Sequence, residues 1–349
     1  MMCLKKKKMG QGGMSLVELL VALTISLVLL AGVYQVFTGS TTSNRENEQF
    51  ARLQENARFA MEILGREIRV AGYSGCSNTL PVNNLNPAGT GYIAQFLDFA
   101  NGVQGNNWNG AGWTPAIDAT VITNAVNGSD ILTVRSLDRT DRIEITGSNI
   151  NSANLAVVAR NSINQGEIVI VSDCRGGDIF QVTNNNTSAT LAHGVSTNPG
   201  NLSPNLSKGY NAGAEVFKFR SQIFYIRNNP AGVPSLYRLR WDGTTGAFGT
   251  MVAEELVQGV ENMQVRYGID TNGDRQVDSY VTAAGVANWT QVVAVRVGLL
   301  FQSDINGKTP VDTSSYDLDG DGVNEFNPPD ERRMRRVFKT TIAIRNRVS

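Results

Sequence analysis

Carboxylates at alternate positions, interrupted by glycine, are the first residues in this chain whose spacing could do chemistry. The stretch DLDGDGVNE sets Asp317, Asp319 and Asp321 at alternate positions and adds Glu325 further on. Oxygen ligands at the first, third, fifth and ninth places of a loop suit calcium, a hard cation that takes about six to eight oxygens. The twelfth place is Pro328, where an EF-hand has a bidentate glutamate, so this loop alone does not close the shell. A second stretch, DTNGDRQVD, offers Asp270, Asn272, Asp274 and Asp278 in a less complete version of the same pattern. Asp, Asn and Gly also dominate tight turns between strands for backbone reasons, and both stretches admit that plainer reading. Calcium is the one cofactor these residues suggest; zinc and redox metals are not indicated.

Other chemistry is poorly supplied. The chain has a single histidine, His193, in the polar stretch LAHGVSTNPG, where a surface position is expected. That count disfavours Ser-His-Asp and Cys-His catalysis and histidine-ligated zinc. Lys and Arg total 31 against 31 Asp and Glu, so no overall field points to nucleic acid or an acidic substrate. The densest basic cluster outside the N-terminus, DERRMRR from Asp330 to Arg336, lacks interleaved aromatics, and nucleic acid is not expected as a partner.

The N-terminus is more specific. Lys5 to Lys8 precede Gly12 and Gly13, and from Leu19 to Val36 nearly every residue is apolar or small. About 20 such residues at 1.5 Å each cross the hydrocarbon of a bilayer. The lysines keep the extreme N-terminus cytoplasmic and send the rest across. A secretory signal would be cut after the apolar run at an A-x-A-like site, and none follows here. A cut beside Gly13 would instead remove the charged leader and keep the membrane helix. Of Cys3, Cys76 and Cys174, such a cut leaves two, and a pair outside the cytoplasm reads as one disulfide, the alternative being two separate buried thiols. Closing a loop of roughly a hundred residues contributes up to about 4.7 kcal/mol in the chain-entropy model.

Gly13-Met14-Ser15-Leu16-Val17-Glu18, with apolar residues through Gly32, resembles the prepilin processing motif of type IV pilins and type II secretion pseudopilins. The resemblance implies cleavage between Gly13 and Met14 by a prepilin peptidase and methylation of the new N-terminal residue, although phenylalanine is commoner than methionine there. Glu18 then lies one helical turn from a cationic α-amino group. Unpaired, each charge would carry a large desolvation penalty among packed apolar helices, so pairing them fixes the register of an incoming subunit. A glutamate held at headgroup level near the helix end is the simpler alternative.

Further on, Phe50, Leu53, Ala57, Ala60, Leu64 and Ile68 recur at three- and four-residue steps, and charged residues that include Arg66 and Glu67 are placed on the opposite face. A helix from about Ser15 to Ala71 would be roughly 85 Å long. Beyond Tyr73 come strand-like runs such as DILTVRSL, EIVIVSDC and DIFQVTNN, while 84–128 reads as an extended loop too polar for a core. EVFKFRSQIFYIRN and PSLYRLRWDG read as a hairpin, followed by strands in GVENMQVRYGID, TQVVAVRVGLLFQ and RRVFKTTIAIRNR. Helix first and strands afterwards implies an α+β fold, a long N-terminal helix packed on an antiparallel sheet head with long loops.

VENMQVRYGIDTNGDRQVDSY, WTQVVAVRVGLLFQ and FKTTIAIRNR, with REIRVAGYSGC and VSDC, are similar to the PilW-type minor pilins of type IVa pili. The expected division is a cleaved cytoplasmic leader at 1–13; a long helix at 14–72, crossing the membrane at about 16–37 and amphipathic beyond; a loop-rich β region at 73–210; and an antiparallel sheet region at 211–349. The resemblance implies a minor pilin acting in pilus assembly near the tip, and so in adhesion and cell motility. It would lie in the bacterial inner membrane with a periplasmic head, then in the pilus at the cell surface. Its implied partners are other minor pilins, the major pilin, the prepilin peptidase and the inner-membrane assembly machinery. A type II secretion pseudopilin is the nearest alternative. From other classes come a membrane-tethered calcium-dependent adhesin and a tethered enzyme.

Overall fold

The structure, a computed structural model, describes residues 13–76, 80–147, 152–159, 163–195, 198–242, 250–305 and 309–348. The leader residues Cys3 and Lys5 to Lys8 lie outside them. Two compact units divide at Ala51 and Arg52. Helix α1 runs from Leu16 to Arg69. In the first unit its side chains from Leu16 through Phe37 are exposed, and no residue of its most apolar 18-residue window is buried.

Within the second unit α1 has one buried face. Leu53, Ala57, Ala60, Leu64 and Ile68 are enclosed, while Phe50, of the first unit, is only half-buried. Glu67 is also enclosed, which corrects its placement on the outer face. The three-four stepping that selects Leu53, Ala57, Ala60 and Leu64 falls next on Glu67. Its carboxylate accepts from Arg220 Nη2 at 3.3 Å and Gln222 Nε2 at 3.2 Å. Those partners lie on strand Glu215–Asn228, so the helix meets the sheet through a buried polar contact as well as apolar ones. The helix stops before Gly72, whose φ of 70° is the left-handed conformation that glycine adopts freely, and Gly72 N donates to Arg135 O.

The head contains two main sheets rather than one. Among the described residues the larger has nine strands, with Glu215–Asn228 bonded on one side to Ile131–Glu144 and on the other to Ile168–Asp173. Its far end also pairs with Pro234–Asp242, forming the expected hairpin. All its described pairings are antiparallel except that of Val82–Asn83 with Gly176–Gln181. The smaller sheet runs in the order Ser279–Val281, Val260–Ile269, Val292–Gln302, Arg335–Ala343, antiparallel throughout. One core joins the helix to both sheets, through Phe224 and Ile226 of the first and Met263, Val265, Val297 and Leu299 of the second. Asp130, itself enclosed, ties the two sheets together. Its two oxygens accept from Trp108 N and Val265 N, both at 2.9 Å, and burial pushes its carboxyl up to about 7.

The segment 84–128 is a second departure from expectation. Its apolar residues converge, and Phe96, Leu97 and Phe99 form a separate core with Ile131, Ile170, Ile223 and Tyr225. Cys76 and Cys174 are joined in a disulfide with Cα atoms 4.8 Å apart, linking the turn after the helix to the turn between Ile168–Asp173 and Gly176–Gln181.

Candidate functional site

Two places gather the residues singled out in the sequence. The first is the start of α1. Gly13, Met14 and Ser15 precede the helix, Met14 is 69 % exposed, and Ser15 O accepts the first helical bond, from Leu19 N at 3.1 Å. Glu18 lies in the first turn, where the unsatisfied N–H groups of a helix favour a carboxylate. The Gly13–Met14 bond is exposed.

The second is the loop between strands Val292–Gln302 and Arg335–Ala343. Asp317, Asp319, Asp321 and Glu325 each offer an oxygen within 4.8 Å of the others. Backbone geometry brings them together. Asp317 accepts from Gly320 N at 2.5 Å and Gly322 N at 3.2 Å, Asp321 from Val323 N at 2.8 Å, and Glu325 Oε2 from Leu318 N at 2.7 Å. The loop lies flat on the smaller sheet because Gly298 permits it: a Cβ there would sit 1.8 Å from Leu318 O.

The sheet beneath the loop is cationic. Arg266 and Arg296 face each other across neighbouring strands, an unfavourable pairing on its own. Arg296 lies over the Tyr280 ring, 3.9 Å from its centroid, and Arg266 bonds to both Asp319 and Asp321. Lys339 reaches Asp317 at 3.1 Å. The acidic loop is therefore counter-ion to a basic sheet face. Glu325 is the exception: among the described residues its Oε1 is enclosed without a hydrogen-bond partner, and burial, with the charges of Asp319 and Asp317, pushes its carboxyl up. An enclosed acceptor facing three other carboxylates fits a hard cation, and a calcium ion there would compete with Arg266 for Asp319 and Asp321.

The second set does not converge in this way. Asp270 accepts from the N–H groups of Gly273 and Arg275, Asp278 from Thr271 N and Oγ1, and Asp274 from Gln276 N. Those carboxylates, with Asn272 capping Asp274 N, shape their own turn. His193 is enclosed rather than exposed, 5.1 Å from the Phe180 ring centre, and burial pushes its imidazole down to about 4. The basic cluster is largely satisfied internally. The Arg335 side chain is fully buried among Glu261, Asp312 and Glu331, and Arg333 bonds to Glu331.

An exposed Gly13–Met14 bond, a helix with a predominantly apolar exposed stretch and a sheet-rich head are features shared with type IV pilin-like proteins. Residues 8–34 match the prokaryotic N-terminal methylation motif. Residues 223–346 match the family described as Type IV Pilus-assembly protein W, so this C-terminal part of the chain is similar to that family. That family is structural rather than catalytic. Among solved structures the chain is similar to a type IV-like pilin from Thermus thermophilus, at 11 % identity over 85 % of this chain and 98 % of that one, with a TM-score of 0.35. No curated protein matches it.

Proposed function

We propose that this protein is a minor pilin, drawn from the inner membrane after processing at Gly13–Met14 and built at low copy into a type IV pilus near its tip. The observation that carries this reading is the start of α1, whose apolar side chains from Leu16 through Phe37 are all exposed directly after the processing junction. So much unburied hydrocarbon on one helix requires lipid first and neighbouring helices later. A large head with long loops suits a subunit present in few copies better than one repeated densely along a filament. Mass spectrometry of the protein from sheared filaments tests it. The expected result is an N-methylated chain beginning at Met14, and a mature chain that keeps Lys5 to Lys8 would overturn the reading.

The enclosed Oε1 of Glu325 favours a second element, calcium binding by Asp317, Asp319, Asp321 and Glu325. Calcium binding only the folded state would stabilise it by about 2.7 kcal/mol at a hundred times its dissociation constant. Millimolar calcium should raise the thermal midpoint by several degrees where magnesium does not, since magnesium dehydrates reluctantly. Glu325→Gln should abolish that rise. An unchanged midpoint for the native chain would leave the basic sheet face, Arg266, Arg296 and Lys339, as the loop's counter-charge.

A further inference from the structure

The smaller sheet ends in a strand, Arg335–Ala343, that among the described residues pairs on one side only. Its register against Val292–Gln302 runs from Ala294↔Ala343 to Gln302↔Arg335 without a bulge. Ile344 N donates to Val293 O, and Ser303 N to Met334 O, which assigns the even-numbered residues to the neighbouring strand. The N–H and C=O groups of Arg335, Val337, Lys339, Thr341 and Ala343 therefore point away from the sheet. Proteins usually blunt such an edge with proline, a bulge, shortness or free lysine charge. This one is nine residues long and has no proline and no bulge. The charges that would guard it are neutralised within the head, Lys339 by Asp317 and Arg335 by Glu261, Asp312 and Glu331.

Resting on the pilin reading above, we propose that this edge is a docking strand, completed in the assembled pilus by an extended acidic segment of a different pilus subunit. Charge selects the partner. Exposed cations flank the edge at both ends, Arg332 before it and Arg345 after it. A second copy aligned on the same edge would bring like charges together, whereas carboxylates on an added strand would be matched. The main-chain bonds supply affinity and the flanking cations supply specificity, as in other strand-addition complexes.

Proline at an outward-facing position isolates the edge from the fold. Thr341→Pro removes an N–H that points away from the sheet, a change edge strands tolerate. Thr340→Pro removes one that bonds to the neighbouring strand, and should unfold the sheet. The full-length Thr341→Pro protein is expected to unfold within about 2 °C of the native chain, yet to be recovered from sheared filaments at about one-tenth of its level. Recovery at the native level would overturn the docking strand while leaving the pilin reading intact. Absence of the native chain itself from sheared filaments would overturn both. A photo-crosslinking amino acid at position 341 keeps the question answerable if the proline variant is unstable. Capture of an acidic segment from another pilus subunit is expected. Capture of a second copy of this chain, or of nothing, would overturn the proposal.

Discussion

Replacing Arg135 with methionine is expected to destabilise the head by about 3–5 kcal/mol, the range for removing one side of a buried charged contact. Arg135 is fully enclosed in strand Ile131–Glu144. Its Nε donates to Phe96 O at 3.2 Å, Nη1 to Asn101 O at 2.8 Å, and Nη2 to Gln95 O at 2.5 Å and Gln104 Oε1 at 2.9 Å. Burial pushes the guanidinium down to about 10, so it stays charged at neutral pH. These acceptors belong to the stretch 95–104, which has little regular structure to satisfy its own carbonyls. Methionine would fill the volume and leave those oxygens enclosed without donors, each worth about 1–3 kcal/mol. Lysine is expected to rescue only part of the loss, because one ammonium cannot span acceptors arranged for a planar fork. Urea unfolding of both variants measures this; a loss below about 1 kcal/mol for methionine would mean that water replaces the guanidinium.

Arg135 also shows where the sequence stops being readable. Period-two runs announced the long strands, and three-four stepping announced the helix, because each buried face repeats along a single element. The stretch from Asn84 to Gly128 has no such period. Phe96, Leu97 and Phe99 become a core only because a strand some forty residues later supplies donors for the carbonyls around them, a long-range event invisible to local pattern. Glu67 was hidden differently. Its charge outweighed its position, although the helical step placed it on the buried face beside Gln222 and Arg220.

The candidate site divides along the same line. Gly13, Met14 and Glu18 lie within one six-residue stretch, so their grouping could be read directly. The alternation of Asp317, Asp319 and Asp321 was equally plain, yet the decisive residues around it were not. Arg266, Arg296 and Lys339 come from three strands and meet the loop only through sheet register. What looked like a self-contained cation loop is half of an ion-paired face. The second loop has the same residue types, but its oxygens face inward to the N–H groups of its own turn. Residue type and spacing are shared by the two; which way the oxygens point is decided by what lies beneath.

Glu18→Ala is expected to leave processing intact and to lower the amount of this protein in filaments by about a hundredfold or more. The substitution removes only a side chain in the first turn of α1, and the junction at Gly13–Met14 remains exposed beside it. On the proposed processing, the α-amino group freed at Met14 can stay at the headgroup level of the bilayer, near water. In a filament it must enter a packed apolar interior, where an unpaired ammonium carries a penalty of several kcal/mol. About 2.7 kcal/mol already corresponds to a hundredfold change in an equilibrium. Glu18→Asp should recover part of the level, since the charge is kept and only its reach is shortened, while Glu18→Gln should behave almost as badly as alanine. That ranking separates charge pairing from simple packing, for which glutamine would be the better substitute. Quantitative blotting of sheared filaments against membranes, with the methylated N-terminus confirmed in each variant, gives the measurement. Equal levels for glutamine and the native glutamate would show that the acid is merely tolerated at the helix start.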